Sequence, residues 1–207
     1  MKLRKLEQVF YVASLMGIMA LWSCGNTSGT ETAADTGDTA EVAAAEESIP
    51  EETTTIASPR KQVEGEAGGV TIKMDYGSPG VKGRQIWGGL EDYGKVWRAG
   101  ANETTNIEFS GDVTIGGTKV PAGKYGFFII PNEDSDWVVI INTAWSREEH
   151  GIWGADKYSE ENDIVRVSVT PELSEEVTER LQYSIADNAI HFAWEKAHLT
   201  IPVAVSK

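Results

Sequence analysis

Residues 70–76 read Val-Thr-Ile-Lys-Met-Asp-Tyr, and this stretch decides the fold class. Val70, Ile72, Met74 and Tyr76 alternate with Thr71, Lys73 and Asp75. Successive side chains of an extended chain point to opposite sides, so a period of two gives a strand with one buried face. The pattern recurs outward from here. Ile107 and Phe109 alternate with Asn106 and Glu108, and Val165, Val167 and Val169 alternate with Arg166 and Ser168. Leu181, Tyr183 and Ile185 form another strand, as do Ile190, Phe192 and Trp194; Leu199, Ile201, Val203 and Val205 close the chain. Gly116-Gly117 and Asp187-Asn188 supply tight turns, and Pro121-Ala122-Gly123 supplies a third. Two unbroken apolar runs, residues 125–130 and 137–141, predict a central hairpin covered on both faces. Residues 173–179 read as a short helical turn or a polar connection, and Pro202 predicts an edge position for the last strand. Nine or ten short strands without a long helix predict an all-β domain over residues 58–207, an antiparallel β-sandwich of jelly-roll-like form.

Composition narrows the function classes. The chain has 207 residues and a formal charge of −14. Phosphate binding needs clustered Lys and Arg, so this balance argues against a nucleic-acid partner. One cysteine, Cys24, excludes an internal disulfide framework and a cysteine-based zinc site. Lys2, Arg4 and Lys5 precede an apolar run over residues 9–21, which is short for a membrane span and suits a secretory segment. Leu21-Trp22-Ser23-Cys24 resembles a bacterial lipobox, with Trp22 in place of the usual small residue. The resemblance implies a signal peptide over residues 1–23, acylation of Cys24 and a place in the bacterial cell envelope, at the outer membrane. Residues 24–57 are rich in Thr, Ala, Glu and Asp and, up to residue 56, lack aromatics, Lys and Arg. Such a segment cannot bury enough apolar surface to offset its ordering entropy, so it reads as an acidic tether.

Ser78 to Thr105 is dense in glycine, with six in 28 positions, and carries two tryptophans, two arginines and three carboxylates. That glycine density means tight turns rather than a regular element. The runs Ser78-Pro79-Gly80-Val81-Lys82-Gly83-Arg84, Ile86-Trp87-Gly88-Gly89-Leu90 and Tyr93 through Thr104 are distinctive. Together with Pro121 through Tyr125, Trp153-Gly154 and Asp163 through Val167, they resemble the DUF2911 domain family of bacterial secreted proteins and lipoproteins. The resemblance covers about Ser58 to Val205, with Gly80 standing where a larger residue is common. The family has no established activity, so it implies no catalytic residue.

Two readings of the glycine-rich segment stand side by side. In one, Arg84, Trp87, Trp97, Arg98, Asn102 and Glu103, with Trp153 of the loop over residues 143–162, form a binding face. Flat indoles stack on sugar rings, and Arg, Asn and carboxylates bond hydroxyls. In the other, the tryptophans fill the core and the arginines brace the turns against Glu91, Asp92 or Glu103. The leading functional reading is a non-catalytic module for a glycan, a peptide or an envelope protein. The alternatives are a polysaccharide-acting enzyme using Glu91, Asp92, Glu103, Glu148 or Glu149, or a purely structural domain. His150, His191 and His198 show no metal-ligand spacing, and no metal or cofactor is expected.

Overall fold

The computed structural model describes residues 57–205. The signal segment, Cys24 and all but the last residue of the acidic tether lie outside the described residues. Ten strands form two antiparallel sheets that do not close into a barrel. In chain order they are β1 (Arg60–Ala67), β2 (Val70–Gly77), β3 (Asn106–Phe109), β4 (Val113–Ile115), β5 (Thr118–Val120), β6 (Gly123–Ile130), β7 (Trp137–Asn142), β8 (Asp163–Val169), β9 (Glu172–Ala186) and β10 (Ala189–Val205). The larger sheet runs β1-β2-β3-β6-β7-β8, and the smaller runs β5-β4-β10-β9.

Register turns the alternation read from the sequence into a core. Met74 pairs with Ile107 and Ile107 with Tyr125, while Phe127 pairs with Ile141 and Ile141 with Val165. These rows bury themselves against Leu181, Tyr183, Ile190, Phe192, Trp194, Leu199 and Ile201 of the smaller sheet.

Three elements differ from the sequence expectation. The first, β1, carries only Val63 and Ala67 as apolar residues, so no alternation announces it. It forms because the Gly68-Gly69 turn folds it onto β2, with Val63 opposite Met74. Gly65 of β1 lies so close to β9 that an added Cβ would sit 2.6 Å from the Ile185 carbonyl oxygen. The second is the stretch 173–179, which is neither helix nor connection but extended strand. Pairing of Leu173 with Ala197 and Thr178 with Glu195 holds it in the sheet.

The third is β10, which doubles back on itself at Glu195, a residue with φ of 54°. Its returning arm donates from the Val203 N–H to the Asn188 carbonyl at 2.8 Å, and Thr200 Oγ1 faces His191 Nδ1 at 3.3 Å. The two strands read from the sequence are the two arms of this element. It lies between β4 and β9, so the expected edge position is corrected. Pro202 is tolerated because it falls after His198, the last residue paired with β9, and before Val203, the first paired with β4.

The outer face of the larger sheet is half covered. After β7 the chain crosses over the sheet as a long loop containing the short helix α1 (Arg147–His150). Ser146 caps α1 by accepting from the Glu149 N–H, and Gly151 ends it in the left-handed conformation. Ala144 and Ile152 from the loop pack on Phe128 and Ile140, forming a second, smaller core. This explains why β6 and β7 are apolar on both faces. Buried Asn142 anchors the loop's base, donating to the Ser159 carbonyl (3.0 Å) and Asp163 (2.7 Å) and accepting from the Ala144 N–H (2.8 Å). The loop covers the β6–β7 side and leaves the outer faces of β1, β2 and β3 open beside it.

Candidate functional site

The glycine-rich segment builds the interior. Beyond β3, Thr105 accepts from the Phe127 N–H at 2.8 Å. Trp97 exchanges both main-chain hydrogen bonds with Ile129, at 2.8 and 3.0 Å, so the segment continues the ladder along β6. That pairing drives the indoles inward. Trp87 packs at 4.5 Å from Trp137 and 5.6 Å from Trp97, ring centre to ring centre, and Trp97 stacks on Trp194 at 5.5 Å. Trp87 is 9% exposed and Trp97 3%, so neither offers a face to a sugar.

Among the described residues no ion pair joins Arg84 or Arg98 to Glu91, Asp92 or Glu103, although both guanidiniums act on Glu91 through space. Arg84 donates to the Val81 and Gly80 carbonyls of its own turn. Arg98 lies against Gly154 of the long loop, with its buried Nε unpartnered among the described residues. Thr104 Oγ1 donates to the Gly154 carbonyl at 2.8 Å. Through these contacts the segment and the Trp153-Gly154 turn are one structural unit. Asn102 is exposed, with φ of 65°, and its carbonyl lies on the Gly154 side.

Glu91 is the one carboxylate here whose proton affinity is strongly altered. Burial pushes it up to about 7, partly offset by Arg98 and by the Trp97 indole, while Asp92 adds to the rise. Because the folded value lies above the ordinary 4.5, ionising Glu91 works against the fold. The cost is absent below about pH 4.5, grows as the pH climbs to about 7, and is complete above that. Glu91→Gln should therefore stabilise the domain at pH 8.5, by about 1–2 kcal/mol once partial exposure is discounted, and change little at pH 4.5. Thermal melts of both proteins at the two pH values check this. Equal gains at both would mean that ionisation of Glu91 is not the cause.

The surface the structure does open lies where the loop meets the uncovered part of the large sheet. A groove of about 230 Å³ is lined by Arg60, Glu103, Lys124, Trp145, Arg147 and Trp153, with Asp75, Thr104, Asn106, Ser146, Glu148 and Ile152 completing it. It continues into a second depression of about 220 Å³ along β1–β3 through Asp75, Asn106 and Lys124. Trp153 is 43% exposed. Arg60 binds the Asp75 carboxylate, donates to the Thr104 carbonyl at 3.1 Å and lies 3.6 Å from Glu103. Lys124 Nζ lies 4.2 Å from the centre of the Trp145 ring, and the Arg147 guanidinium 5.6 Å from that of Trp153.

Of the residues nominated from the sequence, Glu103, Glu148 and Trp153 therefore meet in one groove, as the pairing of segment and loop required. Arg84, Trp87, Trp97, Arg98 and Asn102 do not line it. Arg60, Lys124 and Arg147 were missed. Lys124 had a visible signal, an outward position at the start of an otherwise apolar strand.

A larger depression of about 790 Å³ lies between β8 and the β4–β10 side of the smaller sheet. Its lining is mostly apolar, and Glu172 and Asp187 are its only ionisable side chains. Among the described residues no cluster of three or more His, Cys, Asp or Glu could hold a metal ion, and no helix is long and apolar enough to cross a membrane.

Fold and groove together define an antiparallel two-sheet sandwich with a loop-walled depression on the outer face of its larger sheet. The family model described as "Protein of unknown function (DUF2911)" matches residues 58–203, and the chain belongs to that family. No curated protein and no solved structure matches the chain.

Proposed function

We propose that the protein is a non-catalytic binding module of the cell envelope, tethered through acylated Cys24, whose ligand sits in the Trp145–Trp153 groove. The observation that carries this reading is Trp153: a large, flat, half-exposed indole in a concave, polar-rimmed setting, beside charged side chains on rigid strands. The long loop supports it, since residues 143–162 build a packed wall rather than a bare connection. Anchoring rests on the lipobox resemblance; Cys24→Ser should abolish fatty-acid labelling of the chain, and retained labelling would remove the anchor from the account. An enzymatic reading through the same face is less well supported, because Arg60 already holds two of the groove's three carboxylates, Asp75 and Glu103.

The test is Trp153→Ala against a panel of envelope polysaccharides and peptides. Truncating a half-exposed side chain at a loop tip should leave the melting temperature within a few degrees of the parent. Affinity for any ligand of the groove should fall by about 1–3 kcal/mol, the scale of a stacked indole in a binding hot spot. A folded variant that binds a panel member as tightly as the parent does would move the site elsewhere.

A further inference from the structure

We propose that the ligand of this groove is a carboxylate-bearing saccharide, its acid group held between Lys124 and Arg147 and its ring laid on Trp153; this rests on the groove being the binding surface. The motivating observation is a pair of cations held over indoles in one groove of a chain of net charge −14. Arg60, Lys73, Lys119 and Arg166 each reach a carboxylate. The other described Lys and Arg residues reach none, and among them Lys124 and Arg147 are set apart because each lies over an indole. Lys124 shows this best. It stands directly across from Glu108 in the β3–β6 register, inside a row that alternates Glu64, Lys73, Glu108 and Lys124, yet its ammonium turns to Trp145. A cation on an aromatic face keeps its N–H donors and its charge for a second partner. Both cations line the same groove.

Three further features select the ligand class. The groove's three cations, Arg60, Lys124 and Arg147, balance its three carboxylates, Asp75, Glu103 and Glu148, and Glu148 alone lies outside Arg60's reach. With no net positive charge to spare, Lys124 and Arg147 suit a monoanionic carboxylate better than a doubly charged phosphate. At about 230 Å³ the part of the groove beside Trp153 takes one ring, and the adjoining depression of about 220 Å³ leaves room for the next residue of a chain. Finally, it runs over the face of the sheet, where main-chain groups are already paired between β1, β2, β3 and β6. A peptide added to a sheet draws its affinity from free main-chain groups at an edge, whereas the floor here is mostly the interior strands β2, β3 and β6, with β1 alone at the edge. What it offers is an indole, two cationic donors and the side chains of Thr104, Asn106 and Ser146.

Calorimetric titration of the full chain in detergent tests this, using trigalacturonate, its methyl ester, neutral galactotriose, triglutamate and a hexose phosphate. Trigalacturonate should bind best, with the ester and the neutral sugar at least about ten-fold weaker, the scale of one charge-assisted contact. Lys124→Gln and Arg147→Gln should each weaken trigalacturonate by about ten-fold and reduce its salt dependence, while Glu148→Gln should tighten it. Equal binding of acid and ester overturns the carboxylate assignment but leaves the groove as a saccharide site if Trp153→Ala still abolishes binding. Preference for triglutamate or the hexose phosphate overturns the ligand class. Uronate binding unmoved by the two cation variants and by Trp153→Ala overturns both this inference and the reading beneath it. No binding to any of the five overturns this inference, and the Trp153→Ala panel then decides the broader reading.

Discussion

Trp97→Ala should cost the domain about 3–5 kcal/mol in denaturant unfolding, the range for deleting a buried tryptophan side chain. The indole is 3% exposed, touches Trp87, Trp194 and Phe192, and donates from Nε1 to the Gly100 carbonyl at 3.2 Å. Its removal opens a cavity at the centre of the tryptophan cluster, and Trp87 and Trp194 cannot close it without giving up their mutual contact at 5.5 Å. A domain is stable by only about 5–15 kcal/mol, so a large part of the margin is at stake. Trp97→Phe should recover part of the loss, because much of the apolar surface returns while the Gly100 bond does not. A loss below about 1 kcal/mol for the alanine variant would place Trp97 outside the core, since such costs belong to surface positions.

Gly126→Ala should also destabilise, by a smaller amount and for the opposite reason. A Cβ there would lie 2.3 Å from the Ala144 carbonyl oxygen and 2.8 Å from the Phe128 ring. No heavy-atom pair tolerates the first distance, and the neighbour is main chain, so the loop must lift off the sheet. Overpacking of this kind costs about 1–3 kcal/mol. The consequence reaches the groove, because Trp145, Arg147 and Trp153 stand on that loop. The variant should show raised hydrogen exchange confined to residues 143–162, with β2 and β3 unchanged. Native exchange in the loop would show that Gly126 is not where it rests.

The fold was legible because period-two alternation and turn pairs are local signals, and both register in VTIKMDY and at Asp187-Asn188. The doubly covered hairpin was legible too, since Phe128 and Ile140 are apolar where a half-exposed strand would be polar. What the sequence left open were features set by long-range register. Trp87 and Trp97 have the same residue types and the same glycine-rich setting whether they plug a core or face a ligand. Only the exchange of hydrogen bonds between Trp97 and Ile129 decides for the core. Likewise Arg60, Lys124 and Arg147 come from three separate segments and converge only through the β1–β2–β3–β6 order and the loop's crossing. Glu103 and Trp153 could be nominated because both lie in distinctive stretches. The Arg60 clamp on Asp75 and Glu103 could not, because β1 has no apolar pattern of its own.

Fold and binding surface both depend on which tryptophans are sealed and which are displayed. The most direct measurement labels the chain with 5-fluorotryptophan, assigns each resonance by single Trp→Phe substitutions, and titrates in a neutral paramagnetic relaxation agent. Strong broadening is expected at Trp153, weaker broadening at Trp145, and sharp lines for Trp87, Trp97, Trp137 and Trp194. Broadening of Trp87 or Trp97 as strong as that of Trp153 would contradict this arrangement, since the glycine-rich segment would then face solvent instead of filling the space between the sheets.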